Sequence, residues 1–122
     1  MYSTSAYSYP TGGSHSMSHA SLLETLQHCE ATCEFTAAMI GQGGEASQRH
    51  MQIAMLRDCA DICALTAKCV ARHSGFAKAF AQVCAQVCEI CGKHCLQHPD
   101  ELSQKCGKTC LHCAQECRTF AM

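Results

Sequence analysis

Apolar and small residues recur every three or four positions along most of the chain, which is the spacing of one face of an α-helix. The first such segment starts near Ser18 or Ser21, where Ser21 and Glu24 have the spacing of a capping box. It ends at the glycines of 41–44, which favour a left-handed helix cap. Its predicted inner face carries Leu22, Leu26, Cys29, Cys33, Thr36 and Ile40.

Three further helices are predicted from the same period. The second runs from about 45 to 73, with Met55, Cys59, Cys63, Thr66 and Val70 on its inner face. The third spans roughly 76–97, and His98-Pro99-Asp100 is predicted to form the turn before the fourth, which ends near Phe120. Pro99 suits the first helical position of that helix, where its missing N–H costs little. No segment has the alternation of a strand, and short connections make neighbouring helices antiparallel. The predicted fold is therefore all-α, an up-down-up-down four-helix bundle.

Cysteines occupy the inner positions of these helices. In each of the last two helices they follow steps of four, three and four residues: Cys84, Cys88, Cys91 and Cys95 in the third, and Cys106, Cys110, Cys113 and Cys117 in the fourth. In each of the first two helices a pair is four residues apart, Cys29/Cys33 and Cys59/Cys63. At about 100° per residue each set stays on a narrow stripe, so these sulfurs are expected to face one another. Cys69 lies about 100° off its stripe and is predicted to be peripheral or to serve a neighbouring pair.

Length and charge narrow the class of protein. The chain has 122 residues, enough for one domain, and its net charge of -1 with no basic block gives no support for a nucleic-acid partner.

Residues 1–18 have no periodicity and are predicted to be a mobile tail before a domain at 19–122. In that region His15, Met17 and His19 alternate, and an ordinary polar tail is favoured over loose metal binding. Neither a signal-peptide pattern nor a membrane-span pattern is seen, which predicts a cytoplasmic protein without a membrane partner.

Thiols at this spacing indicate soft-metal binding. Two sulfurs four residues apart on a helix can hold one Cu(I) ion, which accepts two or three thiolate ligands. One Cu(I) per thiolate leaves the core near neutral, whereas Zn(II) with four thiolates leaves two negative charges. Zinc also needs four sulfurs that converge on one point, and a stripe is expected to offer a ladder of pairs. The sequence therefore predicts a non-enzymatic store for many Cu(I) ions, with a zinc or general soft-metal sink as the alternative.

Disulfides and iron–sulfur clusters fit the cysteine spacing less well. Disulfides between residues four apart on one helix would be strained, and iron–sulfur ligation normally uses loop spacings. A small thiol redox or metal-sensing protein remains open, although the βαβ context of thioredoxin-like pairs is missing. A buried cysteine can also be a plain small hydrophobe, which is sufficient to account for Cys69 alone. No catalytic triad, phosphate loop or paired-carboxylate motif is seen, so no enzyme is predicted.

Methionine and histidine collect at one end of the predicted bundle. Met55 and His98 lie closest to the cysteine-lined faces and are predicted to be metal ligands where copper enters. The roles of Met39, His50, Met51 and His94 at the same end stay open. The opposite end is expected to be closed by Leu22, Leu26, Phe76, Phe80 and Phe120.

The sequence resembles the cysteine-rich four-helix-bundle copper storage proteins from about Ser21 to Phe120. The most specific stretches are LRDCADICALTAKCVAR at 56–72, VCAQVCEICGKHC at 83–95 and KCGKTCLHCAQEC at 105–117. The resemblance implies a homotetramer that stores many Cu(I) ions through inward cysteines, with Met and His ligands at the open end. It also implies exchange with copper donor or acceptor proteins or small thiols. The lack of a signal peptide fits the cytosolic members, whereas thirteen cysteines fit the exported ones; Thr36 and Ile40 replace cysteine in the first helix.

Overall fold

The computed structural model describes residues 19–122, so the predicted tail, with His15 and Met17, lies outside the described residues. Four helices make up most of this part: α1 (Ala20–Gly41), α2 (His50–Ala71), α3 (Ala77–Cys95) and α4 (Glu101–Ala121). A short 3₁₀ turn at Ala46–Arg49 precedes α2. Residues 19–122 contain no strand, and the all-α prediction is confirmed.

The helix directions follow from which sulfurs meet. Across α1 and α4, Cys29 Sγ lies 3.9 Å from Cys110 Sγ, and Cys33 Sγ lies 3.8 Å from Cys106 Sγ. The residue number rises along α1 as it falls along α4, so these two helices are antiparallel. The same relation holds between α2 and α3, in the pairs Cys59/Cys88 at 3.5 Å and Cys63/Cys84 at 3.8 Å. Between α2 and α4 the residue numbers rise together, in the pairs Cys59/Cys110 and Cys63/Cys113, each at 3.9 Å, so these two helices are parallel. The three relations together give the up-down-up-down arrangement.

Details of three predicted helix starts are wrong, although α1 does begin near Ser21 and the turn at His98-Pro99-Asp100 does precede α4. The cap of α1 is His19 with no side-chain hydrogen bond, and Ser21 already lies in the first turn, so the predicted capping box is not formed. The cap of α4 is Asp100, whose carboxylate accepts the Ser103 backbone N–H at 3.1 Å. Pro99 therefore precedes the cap instead of opening the helix, because a carboxylate satisfies a free N–H at this position and proline cannot. Similarly, α2 begins five residues later than predicted.

One end of the bundle is sealed by apolar side chains. Leu22 and Leu26 are buried there, and Phe80 and Phe120 pack against the core. The His19 ring meets Phe120 edge-on, with ring centroids 5.0 Å apart. Phe76 is 46% exposed, so the prediction that it closes this end is wrong. None of the helices in residues 19–122 combines the length and the hydropathy that a bilayer-spanning segment requires.

Candidate metal centre

The cysteines form the centre of the bundle. All thirteen are buried, and none is joined in a disulfide. Twelve of them follow the bundle axis and are called the thiol column below: Cys29, Cys33, Cys59, Cys63, Cys84, Cys88, Cys91, Cys95, Cys106, Cys110, Cys113 and Cys117. Each is at most 1% exposed, so the helical stripe predicted from the sequence does face inward.

One group in the thiol column takes a sulfur from every helix. The Sγ atoms of Cys29, Cys63, Cys88 and Cys113 all lie within 4.8 Å of one another. Within it, Cys63 Sγ is 3.6 Å from Cys88 Sγ and 3.9 Å from Cys113 Sγ. Because the four helices present these sulfurs at the same height, they converge on a single point.

Two more groups extend the column in both directions. Cys29, Cys33, Cys59 and Cys110 form the second, with a shortest separation of 3.4 Å between Cys33 Sγ and Cys110 Sγ. The third consists of Cys84, Cys113 and Cys117. Cys29 and Cys113 each belong to two groups, so the sulfurs form a connected set. The expectation that the stripes offer a ladder of pairs is wrong for these residues, since two of the groups bring together four sulfurs from several helices.

Hydrogen bonds between the thiols shift their acidity in opposite directions. The interaction with Cys106 raises the pKa of Cys95 above its usual value, and burial raises it further. By contrast, hydrogen bonding with Cys110 lowers the pKa of Cys91 to about 6. Among residues 19–122 every lysine is exposed, so no lysine offsets the charge of ionised thiols in the column. A bound cation would supply that compensation.

Cys69 is buried but stands apart from the column. It is 1% exposed, yet its sulfur belongs to none of the three groups and, unlike those of Cys91 and Cys106, lies within 4.0 Å of no other cysteine sulfur. Its neighbour is Arg72, whose Nη2 donates to Cys69 Sγ at 3.7 Å. The structure therefore matches the peripheral position predicted for this residue.

The predicted methionine and histidine ligands lie at the edge of the site. Met55 is half-buried and packs against the core. His98 belongs to none of the three groups and lies beside His94, with ring centroids 5.3 Å apart. Burial lowers the pKa of His98, and the nearby Arg49 charge lowers it further. At this end Met39 and Met51 are exposed.

Two polar residues at the end of the column were missed from the sequence. Gln52 is 0% exposed, and its Nε2 donates to Cys95 Sγ at 3.4 Å and to Ser103 Oγ at 2.9 Å. Ser103 is equally buried. Their helical register could have revealed them. Gln52 lies seven residues, about two helical turns, before Cys59, and Ser103 lies three residues, about one turn, before Cys106, so both continue the inner stripes.

Comparison with known proteins places the chain in a family. A family model described as Csp, copper storage protein, matches residues 15–122. The uncharacterized cysteine-rich protein YhjQ of Bacillus subtilis (strain 168) is 42% identical over 79 residues, which cover 63% of this chain and 73% of that protein.

Solved structures of similar chains are also copper storage proteins. The Cu(I)-bound copper storage protein BsCsp3 superposes with a TM-score of 0.82 at 32% identity, covering 85% of this chain and 98% of that one. Metal-free copper storage protein 3 from Bacillus subtilis gives 0.80 at 32% identity, over 85% and 99% of the two chains. A cytosolic copper storage protein from Streptomyces lividans, holding five coppers, gives 0.80 at 30% identity, over 84% and 90%. The bundle, its column of free thiols and the match over residues 15–122 together show that the chain belongs to the copper storage protein family.

Proposed function

We propose that this protein stores and buffers Cu(I), binding many ions within a domain at 19–122. The observation that supports this is the thiol column itself, in which twelve free sulfurs line one buried core. The proposed ligands are all thirteen cysteines, with Cys69 at the periphery and Met55 and His98 at the polar end of the bundle. The role is storage and not catalysis.

The chemistry of the column suits Cu(I). Thiolate is a soft ligand, and Cu(I) is a soft ion that takes two or three of them. Each thiolate paired with one Cu(I) leaves no net charge, which matters because buried uncompensated charge is costly. Since Cys29 and Cys113 each belong to two groups, bridging sulfurs would let neighbouring ions share ligands. The similar BsCsp3 is a Cu(I)-bound storage protein.

Zinc is a second candidate because of one observation. Four sulfurs within 4.8 Å of one another suit a tetrahedral ion, for which Zn–S bonds of about 2.3 Å place sulfurs roughly 3.8 Å apart. A Zn(II) ion with four thiolates keeps two negative charges, and every lysine of residues 19–122 is exposed. Charge balance therefore favours Cu(I) over zinc in the same groups.

Anaerobic titration of the reduced protein with Cu(I) tests the proposal. We expect uptake of many ions per chain, with free thiols lost in step, as measured by metal analysis and a thiol assay. Saturation at one or two ions would overturn storage and favour a redox or sensing role, in which a stable dithiol/disulfide couple would be found. Zinc that stays bound in competition with Cu(I) would favour the second candidate.

We also propose a cellular location, exchange partners and an oligomeric state for this protein. We expect a cytoplasmic protein that exchanges copper with donor or acceptor proteins or small thiols, as the similar Streptomyces lividans protein is described as cytosolic. A homotetramer is supported by large apolar side chains on the outside of α3, where Val83 and Ile90 are 47% and 59% exposed. Sedimentation analysis at several concentrations tests the assembly, and a monomer throughout would contradict it.

A further inference from the structure

The two ends of the thiol column differ in chemistry. One end is sealed by Leu22 and Leu26, which cannot open without exposing apolar surface. The other is covered by four polar side chains, called the polar network below: Arg49, Gln52, Asp100 and Ser103. Polar groups can exchange their partners for water, so this end can open at a lower cost.

An ion pair forms the outer part of the polar network. Arg49 Nη2 donates to Asp100 Oδ1 at 2.7 Å and to Ser103 Oγ at 2.8 Å. The Ser103 hydroxyl in turn donates to Asp100 Oδ2 at 2.9 Å. These bonds tie the start of α2 to the start of α4 across the end of the bundle.

Gln52 connects this ion pair to the column. Its Nε2 donates both to Ser103 Oγ and to Cys95 Sγ, so a continuous chain of hydrogen bonds runs from a partly exposed carboxylate to a buried sulfur. Two atoms of the network, Gln52 Oε1 and Arg49 Nε, are buried without a hydrogen-bond partner. An incompletely satisfied buried network is costly for stability, which indicates a role other than holding the fold.

A cavity lies outside the network. It measures about 310 Å³ and is lined by Met39, Arg49 and Asp100 among others, between the α1–α2 connection and α4. Arg49 and Asp100 therefore contact this cavity on one side and the buried network on the other. A small copper carrier seated in the cavity would contact Arg49 and Asp100, and Ser103 and Gln52 connect these side chains to Cys95.

We propose that the Arg49–Asp100 pair is a gate on copper exchange, and that Gln52 is a positioning residue that holds Cys95 as the first receiving sulfur. This inference rests on the proposed storage function. The gate controls how fast Cu(I) enters and leaves, while the number of ions is determined by the thiol column. Rate and capacity are therefore expected to respond to different substitutions.

The transfer step is a ligand exchange with balanced charge. The donor is Cu(I) held by two thiolates of a small-thiol carrier, and copper stays Cu(I) throughout. A Cys95 sulfur–copper bond forms, one donor sulfur–copper bond breaks, and the Cys95 proton moves to the departing donor thiolate. While Cys95 is still protonated, rotation of the Gln52 amide would present Oε1 as an acceptor for the S–H. Once the proton has left, the Gln52 N–H stabilises the negative sulfur of Cys95.

Asp100→Asn tests the gate. Asparagine keeps the helix-capping acceptor but removes the charge that holds Arg49. The matched control is Glu89→Gln, which makes the same chemical change in another interhelical pair, with Arg118. We expect Asp100→Asn to accelerate both Cu(I) uptake from a thiol donor and removal by a chelator by about tenfold, while Glu89→Gln matches the native rate. All three proteins should hold the same number of ions.

The outcomes separate the two proposals. Native protein that takes up no copper overturns the storage function, whereas normal uptake with equal rates in native protein and Asp100→Asn overturns the gate. If circular dichroism shows that Asp100→Asn has lost helix content, Arg49→Gln breaks the same ion pair and serves as the second variant. Gln52→Leu leaves the ion pair in place and should slow the transfer several-fold at unchanged capacity; an unchanged rate would contradict its positioning role.

Discussion

Gly92 and Gly107 face each other where α3 packs against α4, and neither position has room for a Cβ atom. A Cβ on Gly92 would lie 2.9 Å from the Gly107 carbonyl oxygen, and one on Gly107 would lie 2.8 Å from the Leu96 side chain. This close approach brings the two helices with the most cysteines together. It places Cys110 Sγ 4.0 Å from Cys91 Sγ, so the glycines help to set the width of the thiol column.

Gly92→Ala is expected to destabilise the bundle. The obstacle is a backbone carbonyl, which cannot rotate away as a side chain can, so α3 and α4 must separate. We expect the free energy of unfolding of the reduced, metal-free protein to fall by about 1–3 kcal/mol in urea denaturation. Gly41→Ala is the control, because nothing lies within 4 Å of a Cβ there, and it should be neutral or stabilising by up to about 1 kcal/mol. Equal stabilities of the two variants would contradict the close contact.

Single cysteines are expected to contribute unequally to capacity. Cys113 belongs to two sulfur groups, whereas Cys69 belongs to none. Cys113→Ala should therefore remove roughly two Cu(I) ions per chain, because a bridging sulfur serves more than one ion, and Cys69→Ala at most about one. Anaerobic titration followed by metal analysis of the purified variants measures both. An equal loss in the two would show that membership of these groups does not determine capacity.

The helical period was sufficient to predict the four helices and the inward direction of twelve cysteines, because it depends only on local geometry. It did not predict the convergence of Cys29, Cys63, Cys88 and Cys113, because that depends on the relative heights of four helices, which tertiary packing determines. Gln52 was missed although it lies in register with the cysteines, since a polar residue near a helix end is usually exposed. The capping box predicted at Ser21 was not formed, because α1 already begins at Ala20 and Ser21 lies within its first turn.

Acid should weaken the contribution of Asp100 to stability. Burial tends to raise the pKa of this carboxyl, but hydrogen bonds from Arg49 and Ser103 outweigh it, so the pKa lies below its ordinary value of 3.8. A carboxyl whose pKa is lower in the folded state stabilises the fold above the unfolded-state pKa, and this is lost as pH falls through the folded-state pKa. The stability difference between native protein and Asp100→Asn should thus be constant above about pH 5 and shrink below 3.8. Thermal unfolding of both proteins across this range measures it, and a difference that stays constant down to low pH would contradict the ion pair.

Copper loading is expected to release protons. Hydrogen bonding with Cys106 raises the pKa of Cys95, and hydrogen bonding with Cys113 raises that of Cys117, with burial adding to both shifts. These thiols are therefore protonated at neutral pH, and each must lose its proton to bind a metal. For each proton released per ion, the affinity falls about tenfold as pH drops by one unit. Cys91, with a pKa of about 6, is already ionised at neutral pH and should bind without releasing a proton there.

A pH-stat titration measures this release directly when Cu(I) is supplied as its acetonitrile complex, because acetonitrile takes up no proton as it leaves. The ratio of protons to Cu(I) should be higher at pH 5 than at pH 7, because Cys91 becomes protonated between these values. Protein with its cysteines alkylated by iodoacetamide is the control, since it receives the same copper donor and should release nothing. A ratio near zero in the reduced protein would mean that the ions do not displace thiol protons, and the thiolates of the column would then not be their ligands.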